Sequence, residues 1–263
     1  MSLPARWLQD TGFFGFLTSP RRLSFSSLFG ACCLFAAKLH AQQPDDFIKT
    51  IEKIKTGIAP VTCAHATVSS KFDVGIRGTA FFIDSHGAFL TAAHVVKGVE
   101  NKGCETPAVL VRADEAASGN LNFYGLKFLA SDCRIDETAD IARCQTVEDP
   151  TGAKKILTKP TTLTITSDVQ PDGTPVAFSG FSLDGLMPYT ARANVAGYQV
   201  IEMSPKQGLQ VHMLVLDKPA WTGASGGPVY GIDGRVMGML LRTGSGFAVA
   251  RHGGLLKEFL SGP

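Results

Sequence analysis

Gly78-Thr79-Ala80-Phe81-Phe82-Ile83 runs into a turn over 84–87, and Phe89-Leu90-Thr91-Ala92-Ala93-His94 follows. The first apolar run reads as a strand that ends at the turn marked by Asp84 and Gly87. The same rhythm recurs along most of the chain. Further candidate strands are Val61–Val68, Ala108–Arg112, Gly125–Ala130, Asp140–Thr146, Thr162–Thr166, Pro175–Phe181, Leu209–Leu216, Pro228–Tyr230, Arg235–Leu241 and Phe247–Ala250. In the strand at 209–216, Leu209, Val211, Met213 and Val215 would share one face. Helical spacing is confined to the ends: Phe47, Ile51 and Ile54 mark a helix over 47–56, and Gly254–Leu260 fits another. Many short strands with almost no helix predict an all-β protein of antiparallel barrels or a sandwich. Gln145–Thr161, with Pro150, Gly152 and Pro160, is the natural connection between two halves.

Two further segments share the chemistry that His94 suggests: Ala139-Asp140-Ile141-Ala142 and Thr222-Gly223-Ala224-Ser225-Gly226-Gly227-Pro228. Amide hydrolysis needs a nucleophile, a base working near its pKa, and donors for the developing oxyanion. A serine hydroxyl becomes nucleophilic when an imidazole takes its proton. A carboxylate on the other ring nitrogen fixes the tautomer and stabilises the imidazolium. Glycines around Ser225 let the backbone turn tightly and aim successive N–H groups into one hollow. The candidate catalytic residues are therefore His94, Asp140 and Ser225, with the amides of Gly223 and Ser225 as oxyanion donors. Chain order separates this set from other serine hydrolases. Gly223-Ala224-Ser225-Gly226-Gly227 matches the elbow of α/β-hydrolases, but that fold needs its acid and histidine after the serine, where 38 residues remain. Subtilisin-like enzymes run Asp, His, Ser.

The order His, Asp, Ser, with Thr-Ala-Ala-His, Asp-Ile-Ala and Gly-Ala-Ser-Gly-Gly-Pro, resembles the chymotrypsin/trypsin superfamily of serine proteases. Within it, the chain is most similar to the bacterial high-temperature-requirement (Deg-type) proteases. The shared features are a helix running into Ile58-Ala59-Pro60-Val61, the Gly-Thr-Ala-Phe-Phe-Ile run before His94, Gly234-Arg235-Val236-Met237-Gly238, and Gly246-Phe247-Ala248-Val249 before a terminal helix. The resemblance covers about residues 45–261. It implies two six-stranded antiparallel β-barrels, about 58–148 and 160–251, with His94 and Asp140 on the first and Ser225 on the second. It implies an endopeptidase that works through an acyl-enzyme on protein or peptide substrates, without cofactor or metal. The alternative is a catalytically silent binding or chaperone-like module on the same fold. The resemblance also places the walls of the substrate pocket at Lys218–Trp221, Met239–Thr243 and Gly246–Ala248. No acid lies in those segments, so a small or medium apolar residue is expected before the scissile bond. Two features depart from the pattern. No PDZ domain is expected after the last helix. Ala224 stands where Deg-type enzymes usually have asparagine and trypsin has aspartate, so no amine–carboxylate activation switch is expected.

The first 41 residues read as a signal peptide: Arg21 and Arg22, an apolar run over 23–37, then Leu39-His40-Ala41 as a cleavage site. A membrane anchor is the rival, but the run has 15 residues and includes three serines, against roughly 20 for a span. A lipid-attached start at Cys32 is a third option. Arg6, Arg21, Arg22, Lys38 and Asp10 fall in this segment, which leaves 21 basic and 22 acidic residues beyond it. The basic balance belongs to the leader and offers nothing to a nucleic acid. An exported, periplasmic or secreted bacterial domain over 42–263 is expected. Cys63, Cys104, Cys133 and Cys144 then suggest two disulfides; zinc is the alternative, although no CxxC pair exists. Cys133 and Cys144 flank Asp140 on what reads as a hairpin of Gly125–Ala130 with Asp140–Thr146, which leaves Cys63 with Cys104. His65, His86 and His212 have no partners at ligand spacing and read as structural or solvent-facing. Met237 and Met239 read as core.

Overall fold

The computed structural model describes residues 46–65, 73–101, 104, 106–113, 122–147, 160–183, 185–202 and 209–262. The predicted signal segment, with Cys32, lies outside the described residues, as does most of the expected connection between halves.

Helix α1, Asp46–Lys55, buries Phe47 and Ile54, the face expected from their spacing. The Phe47 ring meets that of Tyr230 edge-on, with centroids 6.3 Å apart, and Thr50 Oγ1 donates to Ile232 O at 2.7 Å. The helix is thereby fixed to the C-terminal half. Seven strands follow: β1 Ile58–His65, β2 Asp73–Phe82, β3 Ala88–Thr91, β4 Pro107–Ala113, β5 Asn122–Lys127, β6 Arg134–Asp136 and β7 Ile141–Gln145. They form one curled antiparallel sheet in the order β5-β4-β1-β2-β3-β7-β6. Six more close into a barrel in the order β10-β13-β12-β11-β8-β9: β8 Pro175–Ser182, β9 Gly185–Glu202, β10 Leu209–Leu216, β11 Pro228–Tyr230, β12 Val236–Thr243 and β13 Ala248–His252. Helix α3, Gly253–Ser261, ends the fold. The second half is thus the expected six-stranded barrel. The first is a seven-stranded half-barrel, because the short β6 adds a strand beyond β7.

Two elements were not anticipated, and two local expectations are corrected. Helix α2, Ala93–Glu100, begins directly after β3; Val95, Val96 and Val99 bury one helical face. Strand β9 has 18 residues and little apolar alternation. Its first part pairs with β8 and its second with β10, and the bend falls at Gly197, where φ is +144°. Thr162–Thr166 is no strand. It contributes one bridge, Ile165 with Val236, and laces the halves together: Leu163 N donates to Phe82 O and Thr166 N to Val236 O. The hairpin partner of β7 is β6; Gly125–Ala130 meets the chain only just past β7, at the bridge Phe128–Thr146.

Two apolar clusters explain why β12 is apolar on both faces. Phe178, Leu214, Leu216, Val229, Leu240, Ala248 and Ala250 fill the barrel. Met213, Met239, Leu241 and Val249 face out of it and join the core of the first half, with Phe81, Phe82, Phe89 and Phe128. A strand buried on both sides loses its alternation. Met237 and Met239 are both core residues.

Two disulfides are present. Cys63–Cys104 spans 5.5 Å between Cα atoms and ties β1 to the segment after α2. Cys133–Cys144 spans 4.3 Å and staples the β6–β7 hairpin whose turn carries Asp140.

His252 closes β13 and caps α3, its Nδ1 accepting from Gly254 N at 3.2 Å. The ring is buried and meets Tyr198 edge-on. Burial pushes its pKa below the ordinary value, opposed by the Asp168 backbone. The neutral ring is therefore the folded form, and the unfolded chain takes up the proton first. Stability is full above the unfolded pKa of about 6.5 and falls with pH below it. Urea unfolding at pH 7 and pH 5 should show this loss. His252→Asn, which keeps a capping acceptor, should show a smaller one.

Candidate active site

The three residues singled out in sequence all line one cleft of about 540 Å³, together with Met213, Ala220–Gly223, Leu240–Thr243 and Arg251. His94 is the second residue of α2, so its backbone points out of the helix N-terminus. Asp140 ends the β6–β7 turn with φ +55°, a left-handed conformation that aspartate tolerates better than most residues. That turn lets one carboxylate grip His94 twice. Asp140 Oδ1 accepts from His94 N at 3.0 Å, and Oδ2 lies 2.8 Å from His94 Nδ1. The imidazole is about half exposed, with Nε2 left for the cleft.

Ser225 follows the turn Trp221–Ala224, closed by Ala224 N donating to Trp221 O at 3.2 Å. Gly223 and Gly226 have φ of +100° and +85°. A Cβ on Gly223 would stand 2.6 Å from Phe181 O, and one on Gly226 would collide with Thr79 O. Both positions therefore need glycine for space as well as for conformation. Among the described residues the N–H groups of Gly223 and Ser225 donate to nothing, and both border the cleft. Two idle donors at one point form a hollow for an anionic oxygen. Ser225 Oγ does not reach His94. It donates to Leu241 O at 2.9 Å.

Thr79 joins this loop to the other half. It is fully buried on β2; its N donates to Ser225 O at 2.8 Å, and its Oγ1 donates to Gly223 O at 2.8 Å while accepting from Phe181 N at 2.9 Å. Thr91 Oγ1 in turn donates to Thr79 O at 2.7 Å. Thr79 stands between Gly78 and Ala80 in the run before His94, where nothing in the local pattern marks this role. Arg251 was missed as well, because it lies beyond the three expected wall segments.

Among the described residues no cluster of His, Cys, Asp or Glu could hold a metal ion. His86 is an exposed turn residue whose N donates to Asp84 Oδ1 at 2.8 Å. The side chains of His65 and His212 lie outside the described residues.

The family model of the trypsin-like peptidase domain matches residues 78–239. The crystal structure of the Rv3671c protease from M. tuberculosis, active form, superposes with a TM-score of 0.57 at 16% sequence identity, covering 81% of this chain and 82% of that one. At that identity the likeness speaks for the fold, which is chymotrypsin-like. A search of curated proteins finds no match.

Thr79→Val keeps the shape and removes the hydroxyl, leaving Gly223 O and Phe181 N unpaired in a dry site. At about 1–3 kcal/mol for each orphan, the variant should lose roughly 2–4 kcal/mol of stability in urea melts. Among molecules still folded, turnover should fall further than substrate affinity, since the hollow at Gly223 loses its support.

Proposed function

The chain belongs to the trypsin-like peptidase family, and from that premise we propose that it is an exported serine endopeptidase acting through His94, Asp140 and Ser225. The observation that carries this reading is the double grip of Asp140 on His94 beside a serine flanked by two idle N–H groups.

The chemistry would run as follows. A rotation about χ1 moves Ser225 Oγ from Leu241 O toward His94 Nε2. As Oγ attacks the peptide carbonyl, Nε2 takes its proton. The carbonyl oxygen becomes an anion and accepts from the N–H groups of Gly223 and Ser225. Asp140 holds the tautomer with Nδ1–H toward itself and stabilises the imidazolium. His94 then protonates the leaving amine, the tetrahedral adduct collapses, and the acyl group stays on Ser225. Water then attacks that ester while His94 Nε2 takes its proton; the adduct collapses to release the acid, and the His94 imidazolium returns that proton to Ser225 Oγ. Apo sites often hold such hydrogen bonds loosely and tighten them on the substrate.

The second reading, a catalytically silent module, draws on the Ser225 hydroxyl resting on Leu241 O. Labelling with an alkylphosphonate separates the two. The wild type should be modified at Ser225, and Ser225→Ala should fold normally yet lose roughly 10⁴–10⁶-fold in peptide hydrolysis. An unlabelled, inert wild type would favour the silent module.

The two disulfides suggest a non-cytoplasmic protein. Among the described residues no helix is long and apolar enough to cross a membrane. We take residues 1–41 as a cleaved signal peptide, residues 42–263 as the peptidase, and a bacterial periplasm or the medium as its place. Activation should need no second cut. Ala224 is fully buried against Gly180, where Ala224 Cα lies 2.9 Å from the site of a Cβ, so this position offers no acid to an N-terminal amine. Protein purified after signal cleavage should hydrolyse peptides at once. Finding it inert until a further cut near 58–61 would refute this.

A further inference from the structure

Arg251 is a buried cation in the cleft that the proposed mechanism leaves unused. It is 4% exposed and lines the same cleft as His94, Asp140 and Ser225. Its place follows from strand alternation. Ala248 and Ala250 point into the barrel, whereas Val249 points out toward the first half. Arg251 shares the side of Val249. Its register partners are Met213 and Met239, both apolar. Its Nε is buried with no hydrogen-bond partner, and the guanidinium makes no ion pair among the described residues.

The acids whose fields act on it are already engaged. Asp140 is engaged with His94, and Asp136 Oδ1 accepts from Ala139 N at 2.9 Å. Burial pushes the pKa of Arg251 down; the fields of Asp140 and Asp136 oppose this, and Arg242 adds to it. Arg242 is exposed and lines the cleft too. The lining therefore holds two guanidinium groups and one carboxylate, and that carboxylate already serves His94. A buried guanidinium without a partner is unfavourable, and its planar fork matches a carboxylate in geometry and charge.

We propose that Arg251, with Arg242, binds a carboxylate of the substrate, so that the peptidase selects sequences with a glutamate or aspartate side chain close to the scissile bond. This rests on the peptidase reading above and replaces the apolar preference expected from the three wall segments, none of which contains Arg251. A lysine or arginine side chain meets like charge in the same place.

The test is a set of peptides, acetylated and amidated so that one side chain carries the only carboxylate, in pairs differing by Glu or Gln at each position around the cleaved bond. With wild-type protein, kcat/KM should favour Glu over Gln by about tenfold to a hundredfold at one position or more. In Arg251→Gln the ratio should collapse toward one, whatever happens to the neutral rate, and Arg251→Lys should keep part of it. Should Arg251→Gln fail to fold, the exposed Arg242→Gln should lower the same ratio several-fold. A wild-type ratio near one at every position overturns the proposal, as does a ratio that survives both substitutions. Cleavage of the Gln peptides and phosphonate labelling report on the peptidase reading separately, so its failure is distinguishable from failure of acid selection.

Discussion

Thr79 makes four hydrogen bonds in a volume closed to water, and they run to both sides of the cleft. From β2 in the first half, it holds Ser225 O and Gly223 O in the second, takes Phe181 N from β8, and is itself held by Thr91 just before α2. The two proposed functional ends of the molecule, the histidine at the start of α2 and the serine loop, are thus positioned by one side chain and its peptide. A threonine suits the place because its hydroxyl donates and accepts at once, while its branched carbon fits a strand. Buried polar groups of this kind are costly when partly satisfied, and that cost is what makes the arrangement specific.

The glycines of the serine loop answer the same constraint. Gly226 has to pass against Thr79 O, and Gly223 has to turn under Phe181 O; either would be displaced by a single Cβ. Packing closes the junction from outside. Met213, Met239, Leu241 and Val249 leave the barrel wall to enter the core of the other half, and Leu163 enters it from the connecting segment. On the opposite side of the cleft, the Cys133–Cys144 bridge limits how far the Asp140 turn can open. Geometry at His94 therefore depends on a staple, a strained turn and a helix start. Geometry at Ser225 depends on glycine space and Thr79.

Arg251 stands apart from this economy. The hydroxyls of Thr79 and Thr91 have their partners inside the protein, whereas this guanidinium faces the cleft with apolar register partners on both flanking strands. Its orientation comes from barrel alternation, the same rule that sends Val249 into the other half.

The strand-rich class, the end helices and the three chemical segments were legible because each depends on residues close in sequence. Apolar runs between turn residues define β2 and β8, helical spacing defines α1, and His94, Asp140 and Ser225 each stand in a short local pattern. Helix α2 was not legible: its eight residues are too short for a clear helical pattern, and it forms because Val95, Val96 and Val99 find a core to cover. Strand β9 was hidden for a similar reason, since its pairing with β8 and then β10 is fixed by barrel closure rather than by its own alternation. The β6 hairpin, the Thr79 junction and the place of Arg251 join residues far apart in the chain, or turn on which face of a strand looks into the cleft. Local pattern in the chain fixed most of the elements and supplied the candidate groups. Which of them meet, and which charge faces the cleft, was decided by tertiary packing, because hydrogen-bond satisfaction and burial are properties of neighbours in space.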